Sequence, residues 1–345
     1  MKQVASEEPL PELAEFLASF AHHFLRSEAR ENLERYSTGL LSDLPRKNAE
    51  TIADAVPGTN EQRLQELLTG IKWDEKAFNR QRVSMMQGKI CIGDGALIFD
   101  DVGFPKKGDF SVGVARQWCP CLGKVANCQV AVDCLYADPA FSWPVSVRLY
   151  LPKEWINDPY RCKRAGIPES VSFQTKPQIA LSLLDEAREM GISHKVVVAD
   201  SAYGGDPTFL SGLEERDELY VVGVPCDFQI IPEEEIEKGI IQRADRALSK
   251  LPKSKWRTIR WREGTKGWLR KKFVAIRAYR VVGKDRLQLG WLIGERPARG
   301  QSGEWKYYFS NLPNDAPLAK MVEFAHRRWH IEQGFFPRST KVWQS

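Results

Sequence analysis

Apolar positions along this chain change their spacing three times. From about residue 9 to residue 85 they recur at helical intervals. Leu10, Leu13, Phe16, Leu17 and Phe20 form one stripe, and Leu64, Leu67 and Leu68 form another within 60–71. Pro57-Gly58-Thr59 breaks the run between them. At Ala96 the texture turns to strands. Residues 96–99 (ALIF) form a short apolar run that leads into Asp100-Asp101-Val102-Gly103, which reads as a buried strand entering a loop. Residues 125–135 and 145–151 alternate as further strands. Residues 176–190 form an amphipathic helix with Ile179, Leu183, Leu184 and Ala187 on one face and Gly191 as its stop. The β-branched run 195–199 ends in Asp200, and a short helix at 209–215 and a strand at 219–224 follow. Tyr203-Gly204-Gly205 reads as a turn.

A third texture occupies 227–312. Strand candidates at 255–261, 272–282 and 287–293 are divided by Gly and Pro turns, which predicts an antiparallel insertion. Residues 317–333 return to helix, with Leu318, Met321, Val322, Phe324 and Ala325 facing inward. The expected fold class is α/β, a mixed sheet flanked by helices. The expected domains are a helical one at 1–90, a first core part at 91–226, the insertion at 227–312, and a helix completing the core within 313–345.

Composition narrows the function. The chain has 345 residues, 43% of them hydrophobic, enough for a sizeable core. No apolar run approaches the ~20 residues of a membrane helix, and residues 1–9 lack the basic start and apolar stretch of a secretory signal. These features predict a soluble cytoplasmic protein with no membrane partner. Seven cysteines, an odd number, point to reduced thiols, and the Cys119-x-Cys121 spacing departs from a zinc knuckle. The net charge is a mild +5, but its distribution is uneven. Twelve Lys or Arg lie between Lys250 and Arg280, against the single acid Glu263, with Trp256, Trp261 and Trp268 interleaved. Lys255, Arg257, Arg260, Arg262, Arg270, Lys271 and Lys272 are candidate phosphate contacts, with the Trp side chains either packing locally or stacking on bases. Arg26, Arg30, Arg35, Arg46 and Lys47 give the N-terminal helices a choice between solvated charge and a grip on DNA phosphates.

Two strand ends and one late helix carry acids: Asp101 or its neighbour Asp100, then Asp200, then Glu332. Strand ends at one edge of a sheet bring distant carboxylates together. Hard oxygen ligands of this kind suit Mg2+ or Mn2+. Two such ions would serve phosphodiester transfer by activating the attacking oxygen and stabilising the leaving one. Lys106, Lys107 and Arg116 follow the first acid and can steer a phosphate or sit as loop charges. His326 and His330 flank the third acid, where a helical His is more often structural than a ligand.

These segments resemble a known family. Residues 98–108 (IFDDVGFPKKG), with 111–117 (SVGVARQ) and 122–129 (LGKVANCQ), look like the first-aspartate block of bacterial insertion-sequence transposases of the DDE type. The likeness is to the insertion sequence 701 group, a relative of the insertion sequence 4 type. Residues 149–152 (LYLP), 165–168 (AGIP) and 175–177 (TKP) belong to the same pattern. Residues 199–204 (ADSAYG) resemble the second-aspartate block and 327–332 (RRWHIE) the third. The resemblance spans roughly 24–335. It implies an RNase H-like core with a β-rich insertion, two Mg2+ or Mn2+ ions, nicking at the ends of the element and attack of a 3′-hydroxyl on target DNA. It further implies double-stranded DNA (terminal inverted repeats and target) as partner, a homodimer on DNA, and a nucleoid-associated location.

By residue, the resemblance makes Asp101, Asp200 and Glu332 the acidic triad, with Asp101 preferred to Asp100 because it directly precedes Val102-Gly103. Arg328, four residues before Glu332, matches the Arg of a Tyr-x2-Arg-x3-Glu-x6-Lys signature. Ala325 and Ser339 stand where that signature has Tyr and Lys. Gly334 and Pro337 interrupt the last helix, and the likeness stops after Phe335. A C-terminally truncated copy is therefore expected. The two readings are an active transposase and an impaired remnant that binds element ends without cutting them. A third, an unrelated metal-dependent hydrolase, is opposed by the basic insertion and the length of the match.

Overall fold

A computed structural model describes residues 11–89, 94–264, 267–282, 287–298, 300 and 302–330, with backbone alone for 262–264 and 267. The chain divides into two compact units, with the boundary between Gly88 and Lys89.

In the first unit the helical stripes resolve into α1 (Pro11–Ala18), α2 (Ser27–Leu41), α3 (Ala49–Ala55), α4 (Glu61–Thr69) and α5 (Glu75–Gln87). Three of them start on a side chain that satisfies a helix N–H left without an intrahelical partner. Asn48 accepts from Thr51 N, Asn60 from Arg63 N and Asp74 from Ala77 N. Phe24, Ala29 and Leu67 form one small core, and Ile52, Val56 and Leu64 another.

The second unit is mixed α/β. Its strands are β1 (Ala96–Pro105), β2 (Ala115–Cys119), β3 (Lys124–Ala137), β4 (Ser142–Leu149), β5 (Val196–Ala199), β6 (Tyr220–Val224), β7 (Gln229–Pro232), β8 (Gln242–Arg243), β9 (Arg257–Gly264), β10 (Gly267–Val281), β11 (Leu287–Arg296) and β12 (Lys306–Ser310). Its helices are α6 (Lys153–Ile156), α7 (Pro159–Arg164), α8 (Lys176–Glu189), α9 (Ser201–Gly204), α10 (Pro207–Glu214), α11 (Ala244–Ser249) and α12 (Leu318–Arg327). One sheet runs β2-β3-β1-β5-β6-β12-β11-β10-β7-β8, with β4 added on β3 and β9 on β10. The pairs β1–β5 and β5–β6 are parallel, and the rest are antiparallel.

Strand β1 does not end at Phe99 as its apolar run predicts. It pairs with β3 from Ala96↔Ala137 to Pro105↔Cys128, so the backbone ladder carries both aspartates into the strand. The strands of 227–312 continue the same sheet, because β12 returns to pair with β6. Four short strands, β2, β7, β8 and β12, are too brief for their alternation to show in the sequence.

The two faces of the sheet are covered differently. Ala96, Ile98, Val196 and Val198 pack with Met321, Phe324 and Ala325 of α12. Burying side chains of this size contributes about 1.5–3 kcal/mol each, which fixes α12 on that face. On the other face Phe99 meets Phe209 of α10 edge-on, and α8 packs across β3 and β4. Helix α8 begins with a reciprocal cap between Thr175 and Gln178, and Gly191 follows its end at φ 72°. Among the described residues no helix is long and apolar enough to cross a membrane.

Helix α9 lies directly against the β6 backbone. A Cβ on Gly204 would overlap the Gly223 carbonyl oxygen, a group that cannot swing away. Gly204→Ala is expected to cost about 1–3 kcal/mol through this overlap, measured as a lowered urea midpoint. An unchanged midpoint would contradict the close packing.

Candidate active site

The parallel pairing of β1 and β5 sets the site. Phe99 is level with Ala199, so the next residues, Asp100 and Asp200, leave adjacent strands at the same height. Side chains alternate along a strand. Asp100 therefore shares the face of Ile98, and Asp200 that of Val198, the face that α12 covers. Asp200 is held in place as the N-cap of α9, its Oδ1 accepting from Ala202 N at 2.8 Å and Tyr203 N at 3.4 Å.

From α12, Arg328 Nη1 donates to Asp100 Oδ2 at 2.5 Å. Burial pushes the Asp100 carboxyl up to about 6. Arg328 opposes that shift, and the negative charges of Asp200 and Asp101 add to it. Asp133, on β3, is level with Asp100 and fully buried. A cavity of about 510 Å³ opens beside Asp200 and Arg328, lined also by Trp261, Tyr308, His326 and Trp329 among others.

Asp101 points to the opposite face. Lys176 Nζ, at the start of α8, donates to its Oδ2 at 2.6 Å, and Tyr203 OH donates to its Oδ1 at 2.5 Å. Burial, and then the Asp101 charge, push the Tyr203 phenol well above its ordinary range. Of the two candidates for the first acid, the structure thus brings Asp100 to the Asp200 face and gives Asp101 a cation and a hydroxyl elsewhere. Neither Lys176 nor Tyr203 was singled out by residue chemistry. Their only trace in the sequence is their place in the TKP and ADSAYG segments. Glu332 lies outside the described residues, as does the interruption of the last helix.

The basic candidates separate by exposure. Lys107, Arg116, Lys255, Arg257, Arg260 and Arg270 are exposed, while Lys106 and Lys272 are half-buried. Lys271 is engaged in an ion pair with the buried Glu295. The Arg262 side chain lies outside the described residues. Among the tryptophans, Trp256 is core, with the Arg296 guanidinium 4.0 Å from its ring. Trp261 stacks on His326, and Trp268 is exposed. His330 sits edge-on to Trp329, 5.4 Å between centroids. The thiols of Cys119 and Cys121 lie 3.5 Å apart, and Cys119 and Cys128 are buried with Val130. Burial pushes Cys121 up to about 11 and Cys128 up to about 12, which keeps both protonated. Cys91 lies outside the described residues.

The donor chemistry of Asp100 and Asp200 fits a hard divalent cation. Both offer carboxylate oxygen on one sheet face, and the Asp200 charge adds to the cost of ionising Asp100, which a cation would offset. Among the described residues no cluster of three His, Cys, Asp or Glu is arranged to hold a metal, so they supply a pair of carboxylates.

Comparison with known proteins bears on the family of the chain. The family model described as DDE superfamily endonuclease matches residues 19–268. A protein named as probable transposase for insertion sequence element IS701, from Microchaete diplosiphon, is 31% identical over 216 residues, covering 62% of this chain and 54% of that protein. The chain thus spans about half the length of the curated relative it matches.

The raised Asp100 value makes a prediction about stability. Its folded-state value of about 6 lies above the ordinary 3.8. Its contribution is complete below about pH 4 and is lost as pH rises through about 6. In metal-free buffer the wild type should lose stability relative to Asp100→Asn between about pH 4 and about pH 6.5. Denaturation midpoints across that window test this, and a constant difference between the two proteins would contradict it.

Proposed function

Because this chain belongs to the DDE superfamily of endonucleases, we propose that it is a DNA transposase that nicks the ends of a bacterial insertion sequence and transfers them to target DNA. The observation that carries this reading is the convergence of Asp100 and Asp200 on one sheet face, beneath the helix that bears Arg328. The strand order β2-β3-β1-β5-β6, antiparallel and then parallel, supports an RNase H-like core. The likeness to the IS701 protein supports the insertion-sequence type.

In this reading Asp100 and Asp200, joined by Glu332, hold two Mg2+ or Mn2+ ions, which supply Lewis-acid activation of the attacking and leaving oxygens. We favour Asp100 over Asp101 as the first acid, on the grounds of the shared face. Asp101 then serves as an anchor. Its salt bridge to Lys176 and hydrogen bond from Tyr203 tie β1 to α8 and α9, holding Asp100 at a fixed height. The guanidinium of Arg328 lies at the cavity edge, where it can hold a backbone phosphate oxygen as it now holds Asp100.

Nicking is attack of a water oxygen on phosphorus with departure of the 3′ oxygen, which takes up a proton. The freed 3′-hydroxyl is then the nucleophile for strand transfer. The exposed Lys107, Arg116, Lys255, Arg257, Arg260 and Arg270 are proposed phosphate contacts, with Lys106, Arg262 and Lys272 beside them. Two copies would hold the two ends of the element, with double-stranded DNA as the partner.

The test is nicking of a supercoiled plasmid carrying the element's terminal repeats, with Mg2+ or Mn2+. Site-dependent nicking is expected, falling by more than about a hundredfold in Asp200→Ala. End binding without nicking would favour a non-catalytic DNA-binding protein. Neither binding nor nicking would overturn the transposase reading.

A further inference from the structure

A second set of buried polar groups meets α12 at His326, two residues before Arg328. Glu295 of β11 is fully buried. A carboxylate taken out of water costs several kcal/mol unless partners compensate it. Glu295 finds three, each on a different element. Lys271 of β10 forms an ion pair with Oε1, Tyr308 OH of β12 donates to Oε2 at 2.8 Å, and His326 Nε2 of α12 lies 3.1 Å from Oε2. Burial pushes the Glu295 carboxyl up, and His326 and Lys271 outweigh it, holding the value down to about 2. His326 Nε2 approaches Oε2 without the alignment of a hydrogen bond.

His326 is also clamped from its other side. Its ring lies parallel to Trp261 of β9, 4.1 Å between centroids and 12° between planes, and Phe273 meets it edge-on at 5.9 Å. The ring is thus held between the Glu295 carboxylate and the Trp261 indole face. The groups facing it are therefore Glu295, Tyr308, Trp261 and Phe273 from four strands, with Lys271 behind Glu295.

Two of the three partners of Glu295 belong to the sheet and do not depend on α12. The third is satisfied only when α12 sits at one register, because a shift of one turn is about 5.4 Å. Apolar packing of Met321, Phe324 and Ala325 tolerates small slides, whereas a buried charge does not. Buried polar and ionic groups are best attested as registry devices.

We propose that His326 is a positioning residue. Through Glu295 and Trp261 it lets the strands of the insertion set the register of α12, and so the reach of Arg328 to Asp100. This rests on the reading of Arg328 and Asp100 as parts of the active site.

Two measurements on the full chain test it. In plasmid nicking, His326→Phe keeps a ring against Trp261 and loses the nitrogen that faces Glu295. It should lower kcat by about ten- to a hundredfold with KM for DNA unchanged. In an Arg328→Ala background it should have no further effect. In hydrogen–deuterium exchange, both His326→Phe and His326→Gln should raise exchange over residues 324–330 while β1 and β5 keep their protection. Effects of His326→Phe and Arg328→Ala that simply multiply would overturn the proposal, as would unchanged exchange at 324–330 in both variants. If the wild type does not nick, the transposase reading fails by itself, and the exchange result still decides the role of His326.

Discussion

Two carboxylates reach the same height on neighbouring parallel strands, one of them taken largely out of water, and the unit is arranged around holding them there. The ladder from Ala96↔Val196 to Phe99↔Ala199 leaves Asp100 and Asp200 no other place to go. Neither can relax by turning away. Asp100 is paired with Asp133 of β3 within strand β1, and Asp200 is bound as the cap of α9. Burial, with the neighbouring carboxylate charges adding to it, raises the Asp100 carboxyl to about 6, and one guanidinium partly compensates. Carboxylates held on one sheet face have the donor chemistry that suits a hard cation.

The rest of the unit keeps that pair where it is. On one face Lys176 and Tyr203 hold Asp101, so the residue next to Asp100 is fixed from behind. On the other face α12 lies on the apolar ends of β1 and β5 and delivers Arg328. The β-rich insertion belongs to the same sheet through β12, and it meets α12 at Trp261, Phe273 and Glu295. It therefore bears on the geometry of the site as well as offering an exposed basic surface.

Much of this was legible in the sequence, for physical reasons that differ by element. The capped, strongly periodic helix α8 and the β-branched strand β5 were readable because local preference and tertiary role agree there. Strand β1 was read only to Phe99. Asp100 and Asp101 look like loop residues until β3 pairs with them. The choice between the two aspartates depended on which face each one occupies, a property of register that a run ending in two identical residues cannot disclose. Glu295 was invisible for a similar reason, since its three partners come from three other elements. Lys271, read as a phosphate contact, is the cation that Glu295 engages. Trp256 and Trp261 were recognised as unusual, but whether they stack on bases or on the protein depended on Arg296 and His326 arriving opposite them.

The central claim is that Asp100, and not Asp101, shares a cation with Asp200. Calorimetric titration of Mn2+ into the wild type, Asp100→Asn and Asp101→Asn tests it most directly. The account predicts that binding is lost or greatly weakened in Asp100→Asn and largely kept in Asp101→Asn. Binding kept in Asp100→Asn and lost in Asp101→Asn would contradict it.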